Sequence, residues 1–158
     1  MALSLNDLPL RPGAKPSTTP SNPHTQLEQV APPAMQDRAR DHALSLPGVR
    51  RGPSHVSVPG SVAFYLDSPV AEPSIPDLFG GEWGHIHPPS DGSLHLNVPT
   101  DVAQKLIAAG WAEHHSLVGK GYLPPIVIMV YGPRDEGELA VVKFAIEQSY
   151  LAAGGSLA

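Results

Sequence analysis

Three histidines, His85, His87 and His95, hold the strongest chemical signal in this chain. They lie in Trp83-Gly-His85-Ile-His87-Pro-Pro-Ser-Asp-Gly-Ser-Leu-His95-Leu-Asn97, which reads as two short strands around a turn. Side chains alternate between the faces of a strand. Trp83, His85 and His87 therefore share one face of the first strand, and Ser93, His95 and Asn97 one face of the second. Pro88 to Gly92 supplies the turn, with two prolines and an Asp-Gly pair. With that segment as the loop, His87 pairs with Ser93, His85 with His95, and Trp83 with Asn97. Paired residues in an antiparallel ladder point to the same side. Ile86, Leu94, Leu96 and Val98 fill the other side. A slip of one residue would turn Leu94, Leu96 and Val98 to the polar side, so the apolar pattern argues for this register.

Several kinds of chemistry suit such a face. Imidazole has the side-chain pKa nearest neutrality, and clustered imidazoles push one another toward the neutral, basic form. A metal-free site of this kind could take the proton of an acidic enol or phenol. Alternatively, His85, His87 and His95 offer three nitrogen ligands to one metal ion; zinc, iron, manganese and copper all accept imidazole. Asp91 in the turn and Glu113 near the next strand could join such a site or back it. The plainest alternative is a solvated sheet face whose histidines pack without chemistry. His114 and His115 are adjacent, so an extended chain sends only one of them to the face. Trp83 and Trp111 suit either the core or a substrate platform. Arg134 follows Tyr-Gly-Pro in a loop. His24 and His42 read as surface residues.

The elements that must position this face follow from local patterns. Pro33 to Leu46 has apolar residues at helical spacing, with Pro33 in the first turn. His55 to Val58 and Ser61 to Leu66 read as strands around Pro59-Gly60. Leu66 to Gly81 carries three prolines and a Gly-Gly pair, so it reads as a long loop of the kind that often acts as a lid. Thr100 is a natural N-cap for a helix ending at Gly110. Trp111 to His115 suits a short strand, and the apolar, β-branched Ile126 to Tyr131 a central one. Asp135 and Glu138 have the spacing of a capping box for a last helix that stops at Gly154-Gly155. The sum is an α+β class: a single domain over residues 33–155, with an antiparallel sheet of about five strands and helices packed on one face.

Composition narrows the partners. The chain has 158 residues, a net charge of −5 and no basic run, which argues against nucleic acid. No apolar run approaches the ~20 residues of a membrane helix, so a soluble, cytoplasmic protein with no membrane partner is expected. Cysteine is absent, which removes disulfides, thiolate metal sites and a cysteine nucleophile. Seven of the nineteen prolines fall before Ala34. Residues 1–32 are poor in large apolar groups, and that composition predicts a disordered Pro-rich tail. The sequence leaves the oligomeric state open.

The motifs H-x-H-P, D-G-S-L-H-L, G-W-A-E-x-H and M-V-Y-G-P-R-D, followed by a C-terminal helix ending near Ser149-Tyr150, together resemble the luciferase domain of fungal luciferases and of many small bacterial proteins. Leu46-Pro-Gly-Val49 and Gly52-Pro-Ser54 resemble that family's opening. The resemblance covers about residues 33 to 153. It implies oxidation of a hydroxylated styryl-pyrone with O₂ as co-substrate, loss of CO₂, emission of light and no organic cofactor. It carries His85, His87 and His95 over as catalytic residues. His115 and Arg134 carry over as substrate-binding residues, beside Asn97 and the flanking Trp83 and Trp111. The expectation is an oxygenase-type enzyme acting on a planar enolic or phenolic molecule. A three-histidine metalloenzyme using zinc, iron or manganese is the alternative enzyme. A non-catalytic small-molecule binding module is the alternative from another class.

Overall fold

The strand with the histidine pair sits where the sequence pattern demands, near the centre of a six-stranded sheet. The computed structural model describes residues 3–158. The strands are β1 (Val49–Pro53), β2 (Val62–Leu66), β3 (Glu82–Ile86), β4 (Leu94–Asn97), β5 (Ala112–His114) and β6 (Val127–Val130). Their order across the sheet is β1-β2-β3-β4-β6-β5, and every neighbouring pair is antiparallel. Three helices complete the fold: α1 (Pro33–Ser45), α2 (Thr100–Ala108) and α3 (Glu136–Ala152). The α+β class is as expected, with one strand more than the sequence suggested.

The core lies between the sheet and the helices. Phe64, Leu94, Leu96, Ile128 and Val130 project from the strands, and Ala39, Ala43, Val142, Ile146 and Tyr150 meet them from α1 and α3. Burying each large side chain of this kind contributes roughly 1.5–3 kcal/mol, which fixes the strand register. The pairs Ile86↔Leu94 and Gly84↔Leu96 put the apolar residues on this side, and His85↔His95 puts the imidazoles on the other.

Three local expectations are corrected. The first strand is Val49–Pro53, not His55–Val58. Arg50 and Arg51 hide its pattern, as charges do on an edge strand. The Arg50 guanidinium lies 4.3 Å from the centre of the Tyr65 ring and also pairs with Asp67. Thr100 is the first helical residue of α2, because Pro99 takes the cap position. The loop 67–81 is tied to the end of α3, where Val70 and Ala71 both donate N–H to the Gly154 carbonyl. Asp135 does cap α3, accepting from the Glu138 N–H.

Residues 1 and 2 of the expected tail lie outside the described residues; residues 3–31 have no helix or strand beyond one 3₁₀ turn at Leu5–Asp7, but they are not a free tail. Leu3, Leu5 and Leu8 pack against the core. The Trp111 indole donates to the Pro9 carbonyl at 2.7 Å, and the Arg11 N–H to Ala109 at 2.9 Å. Further along, the Gln26 side-chain oxygen accepts from the Gly132 N–H, and the Gln26 N–H donates to Asp91. Low hydrophobicity predicts disorder when a segment must form its own core. This one instead docks polar atoms on a finished sheet.

Candidate active site: a buried histidine chain

The row His85, His95, Met129, Glu113 runs across four strands on the face away from the helices. Gly84 lets β3 approach β4 closely: a Cβ there would lie 2.6 Å from a Leu96 methyl and 3.1 Å from the His95 carbonyl oxygen. Gly92 closes the turn with φ +67, a conformation glycine adopts without strain. The turn keeps the expected register, and the His87 N–H donates to the Ser93 carbonyl. His85, His87 and His95 are all buried, with 5–6% exposure. Their ring centres are 5.2 Å (85–95), 4.7 Å (87–95) and 5.3 Å (85–87) apart. One ring nitrogen from each can be chosen so that all lie within 4.8 Å of one another.

Two further histidines complete the cluster. His115 has its ring centre 4.6 Å from that of His95. His24, expected at the surface, is only 2% exposed and stacks on His95 at 5.3 Å. It arrives on the N-terminal segment, so no spacing near the hairpin could have pointed to it.

Carboxylates back three of the five rings. Glu82 accepts from His85 Nδ1 at 2.8 Å, Asp91 pairs with His87 Nδ1, and Glu113 meets His24 Nε2 at 2.9 Å. Glu82 reaches this face through a bulge. Phe64 pairs with Gly84 and Tyr65 with Glu82, so Trp83 is the extra residue. A bulge reverses the alternation at that point. It turns Trp83 toward Phe64 and Tyr150 in the core and Glu82 toward His85. The Trp83 indole N–H is buried without a partner.

The links form a chain: Glu82 to His85, His85 Nε2 to His95 Nδ1 at 3.2 Å, His95 Nε2 to His24 Nδ1 at 3.2 Å, and His24 to Glu113. Four links require four hydrogens. Three neutral imidazoles supply three, and ionised carboxylates supply none. The end carboxylates claim the His85 and His24 hydrogens, so His95 has one hydrogen for two neighbours. The chain is one proton short.

The electrostatics agree with neutral rings. Burial holds His95 well below the usual imidazole value, and neighbouring His85, His87, His115 and His24 push the same way. Burial also lowers His85, against the opposing hydrogen bond from Glu82. His115 is lowered to about 4 by burial first and by His24, His85 and His87 next. Burial alone would raise Asp91 and Glu113. Hydrogen bonds outweigh it and hold both below the usual carboxylate range, from His87 and Ser93 for Asp91 and from His24, Thr18 and Tyr131 for Glu113.

This face borders a cavity of about 360 Å³, within the size range of small-molecule sites. His24, His85, His87, His95, His115 and Glu82 form its polar wall; Val56, Val58, Phe79, Leu117 and Leu123 line the rest. Asn97 and Trp83 also line it, but the bulge turns the Trp83 ring off the histidine face, where alternation along β3 had put it, and into the core. Trp111 does not line the cavity, being buried under the N-terminal segment, where it holds Pro9. Arg134 is also elsewhere, paired with Glu138 at 2.6 Å and bonded to Gln29 and Pro12. Its role here is to fasten the same segment.

Comparison with known proteins meets this geometry from outside. Residues 80–149 match the family model described as the luciferase domain. The luciferase of Armillaria gallica is 28% identical over 162 residues, that of Armillaria ostoyae 30% over 163, and that of Neonothopanus nambi 29% over 161. Each match covers 92% of this chain and 60% of the relative, so the chain spans less than two thirds of their length. No solved structure matches. The resemblance read from the sequence is borne out: residues 80–149 match the luciferase-domain model, and most of the chain is similar to fungal luciferases. Among the described residues, no helix is long and apolar enough to cross a membrane.

Proposed function

We propose that this protein is an oxygenase-type enzyme of the luciferase kind, acting with O₂ on a planar enolic or phenolic small molecule held in the 360 Å³ cavity. The observation that carries this reading is the histidine chain that lacks one proton. An enol whose O–H points at His85 or His95 can fill the missing link. The O–H bond breaks, the proton joins the chain, and the electron pair stays on oxygen as an enolate. The acquired proton then sits between Glu82 and Glu113, which offset its burial. The rings rest neutral because burial disfavours their charged form, so the acceptor is free when the substrate arrives. The apolar remainder of the cavity suits a flat ring and limits the water that would compete for the enolate. His85, His87 and His95 are the catalytic residues in this reading. Asn97, His115 and Trp83 border the substrate. No organic cofactor is required for an enolate to react with O₂.

Oxygen uptake tests the proposal. With a hydroxylated styryl-pyrone, the protein should consume O₂, and His85→Ala and His95→Ala should each lower the rate by ~10²–10⁴, the usual loss of a general base. Oxygen is a better readout than light, since a dark oxygenase would escape a luminometer. Tight binding of the pyrone without O₂ consumption in any form would make this a binding module. Consumption undiminished in the variant lacking all three histidines would move the active site elsewhere.

A further inference from the structure

The missing proton has a second consequence, independent of which small molecule binds. A cation can occupy the gap in place of the proton. We propose that His85, His87 and His95 form a binding site for one divalent transition-metal ion, with Glu82, Asp91 and His24 as the groups that orient them.

The hydrogen count selects the ligand atoms. His85 and His87 each turn Nδ1 to a carboxylate, Glu82 and Asp91. Each therefore keeps its hydrogen on Nδ1 and a lone pair on Nε2. His95 faces His85 Nε2 with its own Nδ1 at 3.2 Å. Two lone pairs at that distance repel unless something positive lies between them. Tetrahedral zinc with bonds of about 2.0–2.1 Å separates its ligand nitrogens by roughly 3.4 Å, so the observed spacing already suits an ion. With Nδ1 on the metal, His95 carries its hydrogen on Nε2 and donates it to His24 Nδ1, while His24 donates to Glu113. Every hydrogen in the chain then has an acceptor. Histidine ligands in metal sites are commonly held this way, the second nitrogen donating to a carboxylate or another acceptor.

His24, His95 and His115 form a second group of similar span. It is the poorer site. His115 Nδ1 accepts the Leu117 N–H at 3.1 Å, so its hydrogen resides on Nε2, the only nitrogen left for a metal. Ligation there would need an imidazolate. Charge points the same way: Glu82 and Asp91 directly back His85 and His87, and a divalent ion balances two buried carboxylates.

An all-imidazole set of three with an open fourth position accepts Zn²⁺, Co²⁺ or Fe²⁺. A bound ion would withdraw the lone pairs from proton uptake and offer a positive charge to the enolate oxygen. The face would still stabilise the anion, by a different means.

The test uses metal alone. Full-length protein made without a histidine tag is stripped with a chelator and titrated with Co²⁺, following the visible d–d band of a tetrahedral site, and with Zn²⁺ by calorimetry. The expected result is one ion per chain. His87→Ala and His95→Ala should abolish the band. Asp91→Asn and Glu82→Gln should weaken affinity roughly 10–100-fold, as loss of such supporting groups does. His115→Ala should keep the affinity of the parent. Circular dichroism separates misfolding from ligand loss, and the conservative Asn and Gln variants keep the test readable if an alanine variant unfolds. Absence of stoichiometric binding overturns the proposal. So does binding that survives loss of His87 and His95, or that depends on His115 rather than His85. None of these readouts requires turnover: failure to bind metal leaves proton uptake by the imidazoles standing, and stoichiometric binding replaces it with charge stabilisation at the ion.

Discussion

The two faces of the sheet are buried equally and held together differently. Leu96 is 0% exposed and its chain neighbour His95 5%, yet one meets hydrocarbon and the other meets imidazoles. On the helix side, stability grows with apolar area and tolerates imperfect geometry. On the histidine side, each buried nitrogen needs a partner, and leaving one unmatched costs about 1–3 kcal/mol. The first face can therefore be built from residue types alone. The second requires the turn at Gly92, the bulge at Trp83 and the N-terminal segment that brings His24. The proposed chemistry rests on this incompletely paired chain, which so many parts of the fold combine to bury.

The sharpest way to break this comparison is to truncate neighbours on opposite faces. Leu96→Ala should destabilise the protein by roughly 2–5 kcal/mol, as large-to-small core changes do. His95→Ala should cost less, on the order of 1 kcal/mol, because the bordering cavity lets water pair with His85 Nε2 and His24 Nδ1, the two nitrogens that lose a partner. Denaturant midpoints check both. Equal losses would mean that the polar face is as structural as the apolar one.

Deleting residues 1–31 should have an intermediate effect. The segment supplies His24; Arg11 bonds it to Ala109 at the end of α2, and Gln26 bonds it to Gly132 and Asp91 beside the sheet. The thermal midpoint should fall by at least about 3 °C, on the order of 1 kcal/mol for a chain of this size. An unchanged midpoint would show that the segment does not hold to the histidine face.

Acid should separate the faces by a smaller amount. An unfolded imidazole takes its proton near 6.5, whereas His115 in the fold takes it near 4 and His95 is also lowered. Between those values the unfolded chain binds more protons, so stability falls as pH drops from about 6.5 toward 4. The slope should be shallower in His115→Ala and unchanged in Leu96→Ala. Asp91 and Glu113 add to acid loss only below the ordinary carboxylate range, since both are held low.

Much of this arrangement was legible in the residues. The pairing His85↔His95 follows from alternation and from Leu94 and Leu96 on the other side, and the helices follow from their periodicity. Glu82 was hidden because a bulge breaks the parity on which the reading of β3 depends. His24 was hidden because its contact with Glu113 spans 89 positions, and no local rule carries that far. Trp111 and Arg134 share motifs with the site, yet both fasten the N-terminal segment. Motif membership located the domain without telling a substrate contact from a clasp. The composition of residues 3–31 misled for a related reason: a segment with few apolar groups can still be ordered when a finished surface offers it hydrogen-bond partners.

The central claim is that His85, His95 and His115 rest neutral and that hydrogen-bond partners fix the tautomers of the cluster. Nitrogen-15 NMR of the imidazoles, followed against pH, measures it directly. The account predicts hydrogen on Nδ1 for His85 and His87 and on Nε2 for His115. It also predicts that His115 stays neutral until about pH 4 and that His95 does not titrate near 6.5. Independent titration of His85, His95 and His115 near 6.5, with mixed tautomers, would contradict it.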